Sequence, residues 1–158
     1  DLHRLIRRQR QMCIRDRDID AHYGDGTHWI FKSESEIFYS SVHANPPYYY
    51  PGVKYRSDNS FLVDVEPRNI DDKEMVKILR NMIKKVKNFK PSFIAVSAGF
   101  DTYYNDALMN YRIHDISTYE KIGKLIRQLD VPTFSLLEGG YSDDLGLLVK
   151  AFYKGLYG

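Results

Sequence analysis

Apolar positions along the chain recur in two alternating modes, short continuous runs of four to six residues and longer stretches with helical spacing. The runs at Ile37–Val42, Phe61–Val65, Phe93–Ser97 and Pro132–Leu137 predict strands, the third of them fully buried. From about Asp71 to Phe89, Met75, Leu79, Met82, Ile83 and Val86 fall on one helical face while lysines keep the other wet, with an aspartate to cap the start and Pro91 to stop the element. A second amphipathic helix follows from Ser117, where Ser117 and Glu120 form a capping-box pattern. A third, begun by Ser142 or Asp143, runs through Leu148, Phe152 and Leu156. A short helix over Asp25–Lys32 is expected to carry Trp29, Ile30 and Phe31 inward. Between residues 43 and 52, three prolines and the run Tyr48-Tyr49-Tyr50 dictate a loop whose rings suit a pocket rim. Strand and helix in alternation predict an α/β fold around a mainly parallel sheet.

The chemistry collects at the predicted strand ends, where open α/β sheets hold their ligands. Asp18-Ile19-Asp20-Ala21-His22 leads into Gly24-Asp25-Gly26. If extended, this stretch points Asp18, Asp20 and His22 to one face, and carboxylate with imidazole suits a divalent metal. Ser41-Val42-His43, Gly99-Phe100-Asp101 with Asp106, and Glu138-Gly139-Gly140-Tyr141 end the other strands. The two glycines allow Tyr141 to approach a site closely.

Composition is that of an ordinary globule, and no apolar run approaches a membrane span. The single cysteine, Cys13, excludes an internal disulfide and fits a reducing, cytoplasmic setting. The overall +2 charge misleads, because residues 1–17 hold six arginines against two aspartates. The remaining 141 residues are mildly acidic, with 17 basic and 19 acidic side chains, so no basic face for nucleic acid is expected. Residues 9–17 are too polar for a strand of a buried parallel sheet. Met12–Arg17 resembles translated sequencing-adaptor sequence, and residues 1–17 read either as a segment foreign to the fold or as a basic, partly helical tail.

From Asp18 onward the three motifs Asp18-Ile19-Asp20-Ala21-His22, Ser97-Ala98-Gly99-Phe100-Asp101 with Asp106, and Glu138-Gly139-Gly140-Tyr141 together resemble the histone deacetylase family and the wider arginase–deacetylase fold, which includes acetylpolyamine amidohydrolases. The resemblance implies a three-layer αβα fold whose N-terminal part is missing here, with residues 18–158 as the C-terminal portion of a catalytic domain. It implies Zn2+ on Asp20, His22 and Asp106, with Tyr141 as donor to the developing oxyanion and Asp18 and Asp25 orienting family histidines. Tyr49, Tyr50, Gly139 and Gly140 are implied on the substrate side. A structural K+ is implied at Asp18, Asp20, His22, Ser41 and Val42, and Phe31, Glu34 and Ile37 fall near a second such position. The implied reaction is hydrolysis of an acetylated lysine or polyamine.

Two departures stand out. The family's paired proton-transfer histidines precede the first motif, whereas this chain has only His3 there. Tyr23 stands where many relatives have a second histidine. His28, His43 and His114 are expected in structural roles. The expectation is a fragment inactive by itself, against the alternatives of a non-catalytic metal-binding fragment and a metallophosphoesterase. The latter lacks the partner motif and second metal cluster it would need. The sequence leaves the oligomeric state open.

Overall fold

The computed structural model describes the backbone of residues 14–45 and 57–158, and side chains from Arg17 onward. Five strands, β1 (Ile14–Asp18), β2 (Ile37–Ala44), β3 (Ser60–Val65), β4 (Phe93–Ala98) and β5 (Thr133–Leu137), form one sheet in the order β3-β2-β1-β4-β5, with every neighbouring pair parallel. Helices α1 (Asp25–Phe31), α2 (Asp72–Phe89) and α3 (Ser117–Arg127) lie between strands, and α4 (Leu145–Tyr157) closes the described chain. The expected α/β fold with a parallel sheet is therefore what forms. No described helix is long and apolar enough to cross a membrane.

Helix α2 forms where its stripe predicts. Asp71 caps it by accepting from the amides of Lys73 and Glu74, and Lys90 ends it in the left-handed region at φ 58°. Met75, Leu79, Met82, Ile83 and Val86 are buried and join Ile94 and Val96 of β4, Ile122 and Ile126 of α3, and Leu148 and Phe152 of α4 in one core. Helices α3 and α4 meet at glycines, since a Cβ on Gly155 would lie 2.1 Å from the Glu120 carbonyl oxygen and one on Gly123 would lie 2.3 Å from that of Phe152. Glu120 then bonds Lys124 on its own helix and Lys154 on α4. It does not complete the expected capping box: Asp115 caps this turn instead, accepting from the Ser117 amide and hydroxyl.

Three further expectations change. Strand β4 is not fully buried, because Ile94, Val96 and Ala98 are covered while Phe93, Ala95 and Ser97 on the other face are half-buried. Phe134 and Leu136 of β5, opposite Ala95 and Ser97, are exposed. Helix α1 faces the sheet with His28, which is fully buried and stacks on Tyr39 at 4.9 Å, while Trp29 and Ile30 point outward. A seven-residue helix has room for one inward position per turn, and the packing gives it to the histidine.

The boundary drawn after residue 17 falls inside β1, the middle strand of the sheet. Arg17 stands between Ser40 and Val96 in register and is 1% exposed. Among the described residues none of its three guanidinium nitrogens has a hydrogen-bond partner, and desolvation lowers its pKa to about 10. A charge in this position opposes the fold, yet the segment forms the strand that its polarity argued against.

Replacing Arg17 by valine should therefore raise the melting midpoint by several degrees, a gain of about 1–4 kcal/mol from removing an uncompensated buried charge. An unchanged midpoint in thermal melts would show that the guanidinium finds solvent. Gly155→Ala should destabilise by about 1–3 kcal/mol, because two helix backbones must separate to admit one methyl group.

Candidate metal and substrate site

The parallel register brings the C-terminal ends of β1, β4 and β5 side by side. A cleft of about 440 Å³ opens there, lined among others by Asp18, Asp20, His22, Thr27, Glu138 and Tyr141. The stretch after Asp18 is not extended: β1 ends at Asp18 and residues 20–22 are bends. The carboxylates shape this bend themselves. Asp18 Oδ1 accepts from the Asp20 amide at 3.0 Å and Asp20 Oδ1 from the His22 amide at 2.8 Å, each a two-residue side-chain turn. Asp20 and His22 still converge, but through these turns and not through strand alternation.

Asp18 is buried, and its Oδ2 accepts from the Tyr39 hydroxyl at 2.6 Å and the Gly24 amide at 3.2 Å. It anchors the turn between β1 and α1. Asp25 opens α1 half-buried. Tyr23 is buried and its hydroxyl meets His28 Nδ1 at 2.5 Å, while His28 Nε2 meets Ser57 Oγ at 2.8 Å. His43 is held by Ser41 Oγ and Asp64 Oδ1, and His114 stacks on Tyr104. These three histidines make structural contacts at a remove from His22. Tyr49 and Tyr50 lie outside the described residues.

His22 Nδ1 stands 3.1 Å from Asp20 Oδ1 and 3.1 Å from Asp101 Oδ2. Among the described residues, Asp20, His22 and Asp101 form the compact group whose ligand atoms all lie within 4.8 Å of one another. The group differs from the expected set in its third member. Asp101 is fully buried, its Oδ1 accepts from the Ala21 amide at 2.9 Å, and its Oδ2 makes no well-aligned hydrogen bond. Asp106 lies further along the same loop, with Oδ1 on the Leu108 amide and Oδ2 on the Tyr141 amide, both within 2.9 Å.

The Glu138–Tyr141 turn ties these groups together. The Gly139 amide donates to Asp20 Oδ2 at 2.8 Å, and two residues on the Tyr141 amide donates to Asp106 Oδ2. Gly139 is obligatory, since a Cβ there would lie 2.6 Å from Asp20 Oδ2 and 2.8 Å from Asp101 Oδ2. Tyr141 itself is 64% exposed, with its ring at the cleft mouth.

Without a metal, the carboxylates of Asp101 and then Asp20, each 3.1 Å from Nδ1, raise the pKa of His22 to about 10. Burial pushes the Asp101 carboxyl up. For Asp20 burial acts the same way, but hydrogen bonds from His22 and Gly139 outweigh it and hold the group low. Two carboxylates sharing one imidazole nitrogen, one of their oxygens buried and poorly satisfied, is a donor set that suits a divalent cation such as zinc. The strand-tip position marked Asp101, with Asp106, as able to face inward, but only the fold, bringing residues 79 positions apart together, sets it against His22.

A sequence profile of the histone deacetylase domain matches residues 4–156. A probable deacetylase from Methanothermobacter thermautotrophicus is 33% identical over 150 residues, covering 89% of this chain and 45% of the relative. An acetylpolyamine amidohydrolase from Burkholderia pseudomallei is 26% identical over 147 residues, covering 87% of this chain and 43% of the relative. The crystal structure of an acetylpolyamine aminohydrolase from Burkholderia pseudomallei superimposes with a TM-score of 0.82 at 23% identity, covering 96% of this chain and 47% of that one. The HDA15 HD domain gives 0.83 at 24% identity, covering 92% and 44%. The chain thus spans less than half the length of these relatives, and, matched by the domain profile over nearly its whole length, it belongs to the histone deacetylase family.

Proposed function

We propose that this chain carries the metal-binding and oxyanion-stabilising half of a zinc-dependent amidohydrolase that removes acetyl or related acyl groups from lysine or polyamine amines. The observation that carries the reading is the convergence of Asp20, His22 and the carboxylates of the β4–α3 loop at the C-terminal edge of the sheet, in a chain whose relatives include deacetylases and acetylpolyamine amidohydrolases.

Asp20, His22 and Asp101, whose ligand atoms lie within 4.8 Å of one another, would hold the metal. Asp106, the third ligand expected from the resemblance, has its oxygens on the Leu108 and Tyr141 amides and would instead position the Tyr141 turn. Asp101 Oδ1 meanwhile fixes the Ala21 amide while its Oδ2 faces the His22 ring. A zinc ion held by these residues would supply Lewis acidity toward an acyl carbonyl and a more acidic water. Tyr141, exposed at the cleft mouth, is free to swing its phenol toward the carbonyl oxygen and donate to it as negative charge develops. An acetylated alkyl amine suits the cleft because its methylene stem buries apolar surface while its far end stays in water, with Tyr49 and Tyr50 proposed as walls. A structural K+ is proposed at Asp18, Asp20, His22, Ser41 and Val42, and the register pairing of Asp18 with Ser41 supports it.

Proton transfer needs a further base. Among the described residues His28, His43 and His114 are engaged elsewhere, so we propose that the paired histidines of the active enzyme lie outside these 158 residues and that this chain alone is inactive.

Zinc titration should find that Asp101→Asn weakens binding more than tenfold, because the amide keeps an acceptor for Ala21 but loses the anionic oxygen facing His22, while Asp106→Asn weakens it less. The opposite order would make Asp106 the ligand. In a fluorogenic acetyl-lysine assay with added zinc, the chain alone should give little or no turnover, and robust hydrolysis would refute the need for the absent histidines.

A further inference from the structure

Outside the cleft, one side chain is bonded in an unusual way. Asn59, at the turn before β3, directs its Nδ2 at three backbone carbonyl oxygens at once, those of Phe31 at 2.8 Å, Glu34 at 2.9 Å and Ile37 at 2.9 Å. These carbonyls line the connection from α1 to β2, a segment that winds so tightly that the Glu34 amide bonds the Phe31 carbonyl and the Ile37 amide bonds the Glu34 carbonyl. The main chain of Asn59 joins in, its carbonyl accepting from the Tyr39 amide at 3.0 Å. Asn59 Oδ1, by contrast, is buried with no hydrogen-bond partner among the described residues.

The stoichiometry is informative. A primary amide has two N–H bonds, so three carbonyls oversubscribe it. Three carbonyl dipoles aimed at one point produce a concentrated negative potential. A bare ring of this kind is how proteins replace the hydration shell of a monovalent cation. Turning the amide over would place Oδ1 against three oxygens and is excluded unless a cation lies between. The orphaned Oδ1 is a further cost, since a buried acceptor left unmade is unfavourable. The fold accepts that cost to keep Nδ2 at the focus of the carbonyls.

We infer that Asn59 takes the place of a monovalent cation in this loop, holding the α1–β2 connection with a covalently attached donor so that its geometry does not depend on ions. This refines the expectation that Phe31, Glu34 and Ile37 lie near a second K+ position: their carbonyls do converge, and a side chain already occupies the focus. Asn59 is a positioning residue. By fixing the C-terminal end of α1 it sets the helix that carries Asp25 and His28, and through His28 and Tyr23 the turn after His22. The inference rests on the loop and stands whether or not the metal reading holds.

Thermal melts of the full chain in choline chloride, NaCl and KCl at equal ionic strength test it. Asn59→Ala should lower the midpoint by about 5 °C in choline, and KCl should restore at least half of that loss, because the emptied carbonyl ring then admits the ion. The wild type should shift with KCl by clearly less than the variant. Equal shifts for the two proteins, or a destabilised variant that ignores KCl, would overturn the inference and leave Asn59 as an ordinary hydrogen-bonding residue. Should the alanine variant fail to fold in choline, its folded yield in KCl against choline is the readout. Asn59→Ser, which keeps one donor, must follow the same ordering.

Discussion

The site depends on one repeated interaction, a backbone amide donating to a buried or half-buried carboxylate. Asp18 receives the amides of Asp20 and Gly24, Asp20 those of His22 and Gly139, Asp101 that of Ala21, and Asp106 those of Leu108 and Tyr141. Each bond stabilises the ionised form and fixes the orientation of an oxygen. Four acids can therefore crowd one strand edge, because main-chain dipoles offset charges that would otherwise repel. The same bonds shape the chain, since the β1 tip bends where its own aspartates capture amides two residues ahead.

The sheet supplies the rigid base for this arrangement. Register between β1 and β4 sets Asp18 beside Ser97, and the glycine after β5 lets its amide reach Asp20 without a clash. Helices α2, α3 and α4 bury one face of the sheet, and the glycine contact between α3 and α4 brings the outer helix close. On the other face the described helices reach only as far as α1, which leaves Phe134 and Leu136 of β5 exposed. Arg17 is the exception to the consistency of the core, a desolvated cation in the middle strand. It coincides with the segment whose sequence is least suited to a parallel sheet.

Histidines separate the two kinds of role in this chain. His22 sits between two carboxylates that hold its proton tightly in the absence of a metal. His28 is buried against Tyr39 and Tyr23, and burial lowers its pKa. The tyrosine at position 23 is thus a structural partner for His28.

Much of this was legible in the amino-acid sequence. Apolar periodicity located α2, α3, α4 and the later strands, since each must bury a face whatever its neighbours. The clustering of aspartate, histidine and glycine at strand ends marked the cleft, because those residues are costly in strand interiors. Tertiary structure alone decided the rest. It turned α1 so that His28 and not Trp29 faces the sheet, drew residues 14–17 into the central strand despite their charge, replaced the Ser117 cap with Asp115, and brought Asp101 to His22. Apart from the Asp115 cap, which is local, each outcome depends on contacts between residues distant in sequence, where packing and hydrogen bonding outweigh the local pattern.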